Sequence, residues 1–145
     1  MDARTLTPRY SVSPQISVED IPAIAAAGFT TVICNRPDGE VPPSHQASAL
    51  RAASQEAGLT FLELPLTHQT MTPDNIAQQR AYIDAASGPV LAYCASGTRS
   101  SVAWALGVAG AGERTVTDIL TTVQNAGYDL SGLRPTLESL GPQQG

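Results

Sequence analysis

Short apolar runs alternate with amphipathic stretches along most of the chain, a pattern that predicts strands separated by helices. Ser17-Val18-Glu19-Asp20 sets a capping residue and two acidic side chains ahead of Ile21, Ile24 and Ala25, with Gly28 as the stop. Phe29 to Cys34 is apolar and β-branched between Gly28 and Pro37, and reads as a buried strand. Ser44 to Ala57 is alanine-rich and helical and closes at Gly58, and Leu59 to Leu64 follows as a strand ended by Pro65. Thr72 caps the next helix, with Pro73 in a first turn where its missing N–H is harmless, running to Ala86. Val90-Leu91-Ala92-Tyr93 is a short apolar strand that leads straight into Cys94. Helices are expected from Ser100 to Ala109, from Thr117 to Ala126 and from Pro135 to Leu140.

Strands separated by helices imply parallel neighbours joined by right-handed crossovers. The expected fold is therefore α/β: a three-layer sandwich with a central, mainly parallel sheet of about four to five strands flanked by helices. One domain is expected over residues 10–140. Residues 1–9 and 141–145 lack periodicity and are expected to be loosely ordered ends. In such a sheet the ligand site lies beyond the carboxyl ends of the strands. Two segments fall there, Asn35 to Glu40 and Cys94 to Arg99.

Composition narrows the chemistry. The 145 residues are 42% hydrophobic and 14% charged, enough apolar surface for a packed core. The net charge of −5 excludes the basic face that nucleic-acid binding requires. All 8 basic residues are arginine, so no lysine can act as a Schiff-base nucleophile or general base. The start of the chain lacks the pattern of a signal peptide. No apolar run approaches the roughly 20 residues needed to cross a bilayer, and a cytoplasmic location is expected. The two cysteines, Cys34 and Cys94, form no CxxC pair, so neither a metal site nor a cofactor is expected.

Cys94-Ala95-Ser96-Gly97-Thr98-Arg99 carries the strongest chemical signal. A cysteine between a buried strand and a helix N-terminus meets unpaired backbone N–H groups and the positive end of the helix dipole, both of which favour the nucleophilic thiolate. Arg99 adds a full charge and a planar pair of donors for an oxyanion. Gly97 permits a positive φ, Ala95 and Ser96 are small enough for their N–H groups to form a concave anion nest, and Thr98 completes the loop. Ser100 is placed to orient it. Cys34, inside a β-branched run, reads as core packing. Arg36, at the end of its strand, is a candidate for recruiting an anion, or else a surface partner of Asp38 or Glu40. Candidate general acids are Asp74, Asp38, His68 and His45. Asp74 is carried forward as the catalytic acid, and His68 as a residue overhanging the pocket.

Cys94 to Ser101 resembles the active-site loop of the beta-lactamase hydrolase-like, phosphatase-like family, also known as DUF442, which is grouped with sulfurtransferases as well. The similarity extends through Ser13-Pro14-Gln15-Ile16, Ala27 to Ile33, Asn35 to Glu40, Gly88 to Tyr93 and Ala126 to Leu130, and so covers Tyr10 to Leu140. The resemblance implies a fold like that of the cysteine-dependent dual-specificity phosphatases. It also brings a departure: family members carry arginine directly after the cysteine, where this chain has Ala95.

Phosphatases of this class place five residues between cysteine and arginine; here four separate Cys94 from Arg99, as in rhodanese-type loops. The expected function is therefore a sulfurtransferase that forms a persulfide on Cys94. The alternative is a phosphatase working through a phosphocysteine, and a third reading is an anion-binding regulatory module with little turnover. The expected partner in each case is a small anion: thiosulfate, a persulfide or a phosphate ester.

Overall fold

The computed structural model describes residues 1–140, so the expected loose tail at 141–145 lies outside the described residues. Five strands form one sheet: β1 (Arg4–Thr7), β2 (Tyr10–Ser13), β3 (Thr31–Cys34), β4 (Thr60–Glu63) and β5 (Val90–Tyr93), in the order β1-β2-β5-β3-β4. All pairings are parallel except β1 with β2, an antiparallel hairpin. The helices are α1 (Ile21–Ala26), α2 (Ala47–Glu56), α3 (Pro73–Ala85), α4 (Thr98–Ala111), α5 (Val116–Asn125) and α6 (Arg134–Leu140).

Alternation along the strands divides the core in two. Val12, Ile33, Val90 and Ala92 face the larger cluster, with Trp104, Ala105 and Val108 of α4 and Ile119 and Val123 of α5. Val32, Leu91 and Tyr93 face the other, with Ile21 and Ile24 of α1 and Leu50 of α2. The α/β sandwich and its mainly parallel sheet agree with the expectation, and the helix ends fall within about three residues of those read from the pattern. The cap at Thr72 is also present, its Oγ1 accepting the Asn75 N–H at 3.3 Å.

The first two strands correct the reading of the chain start. Arg4–Thr7 was expected in a loose end, yet it pairs Arg4 with Val12 and Thr5 with Ser11. Arg4-Thr5-Leu6-Thr7 and Tyr10-Ser11-Val12-Ser13 lack the continuous apolar run that marks β3 and β5, and their order comes from partners elsewhere: β2 is pinned between β1 and β5, with Tyr10 opposite Val90 and Ser13 opposite Tyr93. This hairpin matters for the site. It places β5 at the middle of the sheet, with β2 on one side and β3 on the other, so the chain leaving β5 emerges at the switch point of the topology.

Candidate active site

Cys94 is the first residue beyond β5 and is 1% exposed. It follows Tyr93, which faces the α1–α2 cluster. Cys34 lies opposite Tyr93 in the register and shares its face. Both cysteines are buried free thiols. Burial pushes the Cys34 thiol up, and its Sγ donates to the Arg36 carbonyl at 3.3 Å. Its packing role agrees with the sequence.

Beyond Cys94, three successive carbonyls are held from behind. The Ala95 carbonyl accepts from the Gln15 N–H at 3.1 Å, the Ser96 carbonyl from the Tyr128 hydroxyl at 2.9 Å, and the Gly97 carbonyl from the Ser101 N–H at 3.0 Å and hydroxyl at 2.8 Å. A peptide whose carbonyl is tied outward presents its N–H on the opposite side, which is how a nest is made. The Gly97 N–H donates to Cys94 Sγ at 3.1 Å. Gly97 has φ +100°, a left-handed conformation that lets the loop turn into α4. The bond from Ser101 to Gly97 is the first of α4, so the N–H groups of Thr98, Arg99 and Ser100 have no partner within the helix. That of Thr98 is met by Ser96 Oγ at 3.3 Å.

Arg99 projects from the first turn of α4. Its Nη1 and Nη2 grip the Glu40 carboxylate at 2.9 and 2.7 Å, and Nη1 also donates to the Leu66 carbonyl at 2.9 Å. The Glu40 carboxylate, with a smaller contribution from the Cys94 sulfur, holds the guanidinium above its ordinary pKa. Glu40 in turn is held below the ordinary carboxylate range, first by Arg99 and then by Arg36. Arg36 Nε donates to Glu40 Oε1 at 3.2 Å and Nη1 to Gln15 Oε1 at 3.2 Å. One carboxylate thus joins two arginines at the edge of the loop.

A buried polar network lies under the loop. Ser100 Oγ donates to Asn35 Oδ1 at 2.8 Å; Asn35 Nδ2 donates to the Leu64 carbonyl at 2.9 Å and to Gln79 Oε1 at 3.0 Å; Gln79 Nε2 donates to the Tyr10 hydroxyl at 3.1 Å. The Tyr10 hydroxyl closes the circuit on the Ser100 carbonyl at 2.8 Å, and burial keeps this phenol protonated far above its ordinary range. The network ties the ends of β3 and β4, the start of β2, α3 and the first turn of α4 into one support.

The phosphatase-like domain of the beta-lactamase hydrolase-like proteins matches residues 2–111. The chain belongs to that family. A beta-lactamase hydrolase-like protein of Agrobacterium fabrum is 31% identical over 138 residues, which is 95% of this chain and 32% of that protein. The chain therefore spans about a third of the length of this relative. Among solved structures, a phosphatase candidate from Neisseria meningitidis Z2491 superposes with a TM-score of 0.87 at 33% identity, covering 97% of this chain and 99% of that one. Tk-PTP in its active form superposes with a TM-score of 0.75 at 16% identity over 96% of this chain and 95% of its own, a likeness of fold alone. These findings favour the phosphatase alternative over the sulfurtransferase reading expected from loop length.

Within this family fold, the residues expected at the site fall into three groups. Cys94, Gly97, Arg99 and Ser100 come together as described, with Ala95, Ser96 and Thr98 exposed on the rim. Arg36 reaches the same place through Glu40, with Gln15 on its other side. His68 is exposed in the turn two residues beyond Leu66, whose carbonyl Arg99 holds.

Asp74 is not brought to the loop. It is exposed at the start of α3, and the neighbouring Ile76 packs against Gly107, ten residues along α4 from Gly97 and so about 15 Å down the helix axis. An acidic residue after Pro73 is the ordinary signature of a helix start, which its position satisfies. Asp38 caps α2, its Oδ1 accepting the Ala47 N–H at 2.8 Å, and His45 Nδ1 pairs with Ser44 Oγ at 2.8 Å. Among the described residues, no group of three or more His, Cys, Asp or Glu side chains could hold a metal ion, and no helix is long and apolar enough to cross a membrane. Sequence reasoning gave no role at the site to Tyr10, Gln79, Tyr128 or Gln15. The one available signal was Gly127-Tyr128, where a glycine closing α5 precedes a buried aromatic.

Proposed function

We propose that the chain is a cysteine-dependent phosphatase acting on small phosphate monoesters. The observation that carries this reading is the loop's geometry: Gly97 N–H on Cys94 Sγ, three neighbouring carbonyls tied to partners, and Arg99 in the first turn of the helix that follows. Backbone donors fixed before the substrate arrives stabilise charge without reorganisation as it develops on the phosphoryl oxygens. Family membership supports the same chemistry.

In this mechanism the Cys94 thiolate attacks phosphorus, an S–P bond forms as the ester O–P bond breaks, and the alkoxide leaves with a proton. Water then attacks the phosphocysteine, releasing inorganic phosphate and restoring the thiolate. Arg99 and the N–H groups of the loop hold the phosphoryl oxygens. His68, exposed two residues beyond the Leu66 carbonyl that Arg99 holds, is assigned here to donate the leaving-group proton, in the place that sequence reading gave to Asp74. A reducing compartment such as the cytoplasm suits a mechanism that depends on a free thiol.

Sulfur transfer remains the competing chemistry because only four residues separate Cys94 from Arg99. The deciding experiment offers the protein an aryl phosphate and, separately, thiosulfate with cyanide. Phosphate release that disappears in Cys94→Ser supports the proposal. Thiocyanate formation without phosphate release overturns it, as does anion binding with neither activity.

A further inference from the structure

Tyr128 lies far outside the loop in sequence, 32 residues beyond Ser96, yet its hydroxyl donates to the Ser96 carbonyl at 2.9 Å. That carbonyl belongs to the same peptide unit as the Gly97 N–H, which donates to Cys94 Sγ at 3.1 Å. A peptide unit is planar and its C=O and N–H point opposite ways, so the two bonds grip one rigid plate from its two ends. A bond accepted at the carbonyl also polarises the N–H and strengthens the bond that it donates. The contact with the loop is close: a Cβ added at Gly97 would lie 2.0 Å from the Tyr128 hydroxyl.

The phenol is itself backed by a cation. The Arg4 guanidinium, from β1, lies 5.1 Å from the Tyr128 ring centroid, donates to the Ala126 carbonyl at 3.3 Å and is itself paired with the Asp2 carboxylate at 2.9 Å. Gly127, at φ +101°, leaves room for it, since a Cβ there would lie 2.8 Å from Arg4 Nη1. Burial raises the Tyr128 phenol, and the Arg4 charge against the ring works the other way, toward a better donor.

We propose that Tyr128, with Arg4 behind it, is a positioning residue that sets the ionisation of Cys94 by fixing the Ser96–Gly97 peptide with its N–H on the sulfur. The role rests on Cys94 being the nucleophile. Phosphoryl and sulfur transfer both use the thiolate, so it does not depend on which of them operates. The other titratable groups facing the sulfur are Arg99 from α4 and Tyr10 from β2, and neither is altered in the variants below.

The test is the rate at which iodoacetamide alkylates Cys94, followed by peptide mapping across pH in the parent, Tyr128→Phe and Arg4→Leu. Removing the hydroxyl lowers the rate about five-fold near pH 6 while the difference closes at alkaline pH, where the thiol is ionised in every variant. Arg4→Leu moves the profile the same way by less. A Tyr128→Phe profile that coincides with the parent overturns the proposal, as does a uniform loss at every pH, the mark of a merely structural role. A parent whose Cys94 reacts no faster near pH 6 than a free thiol instead refutes the nucleophile reading, which keeps the two failures apart.

Discussion

Substituting Gly97 by alanine strikes the site at two points whose costs can be separated. At φ +100° an L-residue bears a left-handed penalty of about 1–2 kcal/mol. The new methyl would also stand 2.0 Å from the Tyr128 hydroxyl and 2.8 Å from the ring carbon that bears it. Overpacking of this kind costs about 1–3 kcal/mol, because Tyr128 is buried and anchored to the loop. Together they destabilise by about 3 kcal/mol, a fall of roughly 10 °C in Tm for a chain of this size.

The two parts come apart in a double-mutant cycle with Tyr128→Phe, followed by urea denaturation. Deleting the hydroxyl removes the 2.0 Å contact and leaves the φ penalty untouched. The double variant is therefore more stable than the sum of the singles by about 1 kcal/mol. Additivity within about 0.3 kcal/mol would refute the claim that the hydroxyl and the loop glycine occupy one tightly fitted contact.

Three further outcomes follow from the same structure. Asn35→Ala leaves Ser100 Oγ, the Gln79 amide and the Leu64 carbonyl short of a buried partner, and urea unfolding shows a loss of about 2–4 kcal/mol; a loss under about 1 kcal/mol contradicts the network's role. Gly110→Ala, in α4 with nothing within 4 Å of the added methyl and no positive φ, raises stability by about 0.5–1 kcal/mol in the same measurement; a destabilised variant contradicts the helix geometry. Glu40 titrates below its ordinary value of 4.5 because of Arg99, so its contribution to stability is present above that value and vanishes as pH falls through the lowered one. The carboxylate is partly exposed, which limits the effect to about 0.5 kcal/mol: Glu40→Gln unfolds earlier than the parent at neutral pH and coincides with it in strong acid. A gap that persists in strong acid contradicts the assignment.

What was legible in the sequence was local. Cys94 to Arg99 declares itself because a buried strand, small residues, a glycine and a helix start follow one another without interruption, and each carries its own signal. The supports of the loop do not. Tyr10 meets Ser100 across 90 residues and Asn35 meets Gln79 across 44, distances at which no periodicity operates. Tyr128 and Arg4 come from opposite ends of the chain, and Arg4 lies in a strand whose order exists only through its neighbours. Asp74 shows the converse: an acidic residue at a helix start carries the same mark whether it caps or catalyses, and only its register along α4 separates the two. Loop length pointed to sulfur chemistry because four residues are countable in sequence, whereas the outward ties on the Ala95, Ser96 and Gly97 carbonyls are not.

The central claim is that this loop delivers the Cys94 sulfur to phosphorus. The most direct measurement is to stop the protein with acid while it turns over an aryl phosphate, then map the modified peptide by mass spectrometry. A phosphoryl group on Cys94, absent before substrate is added and lost on standing in buffer, is the predicted result. Active protein whose Cys94 carries no phosphoryl group at any time, or carries a sulfur atom instead, would contradict it.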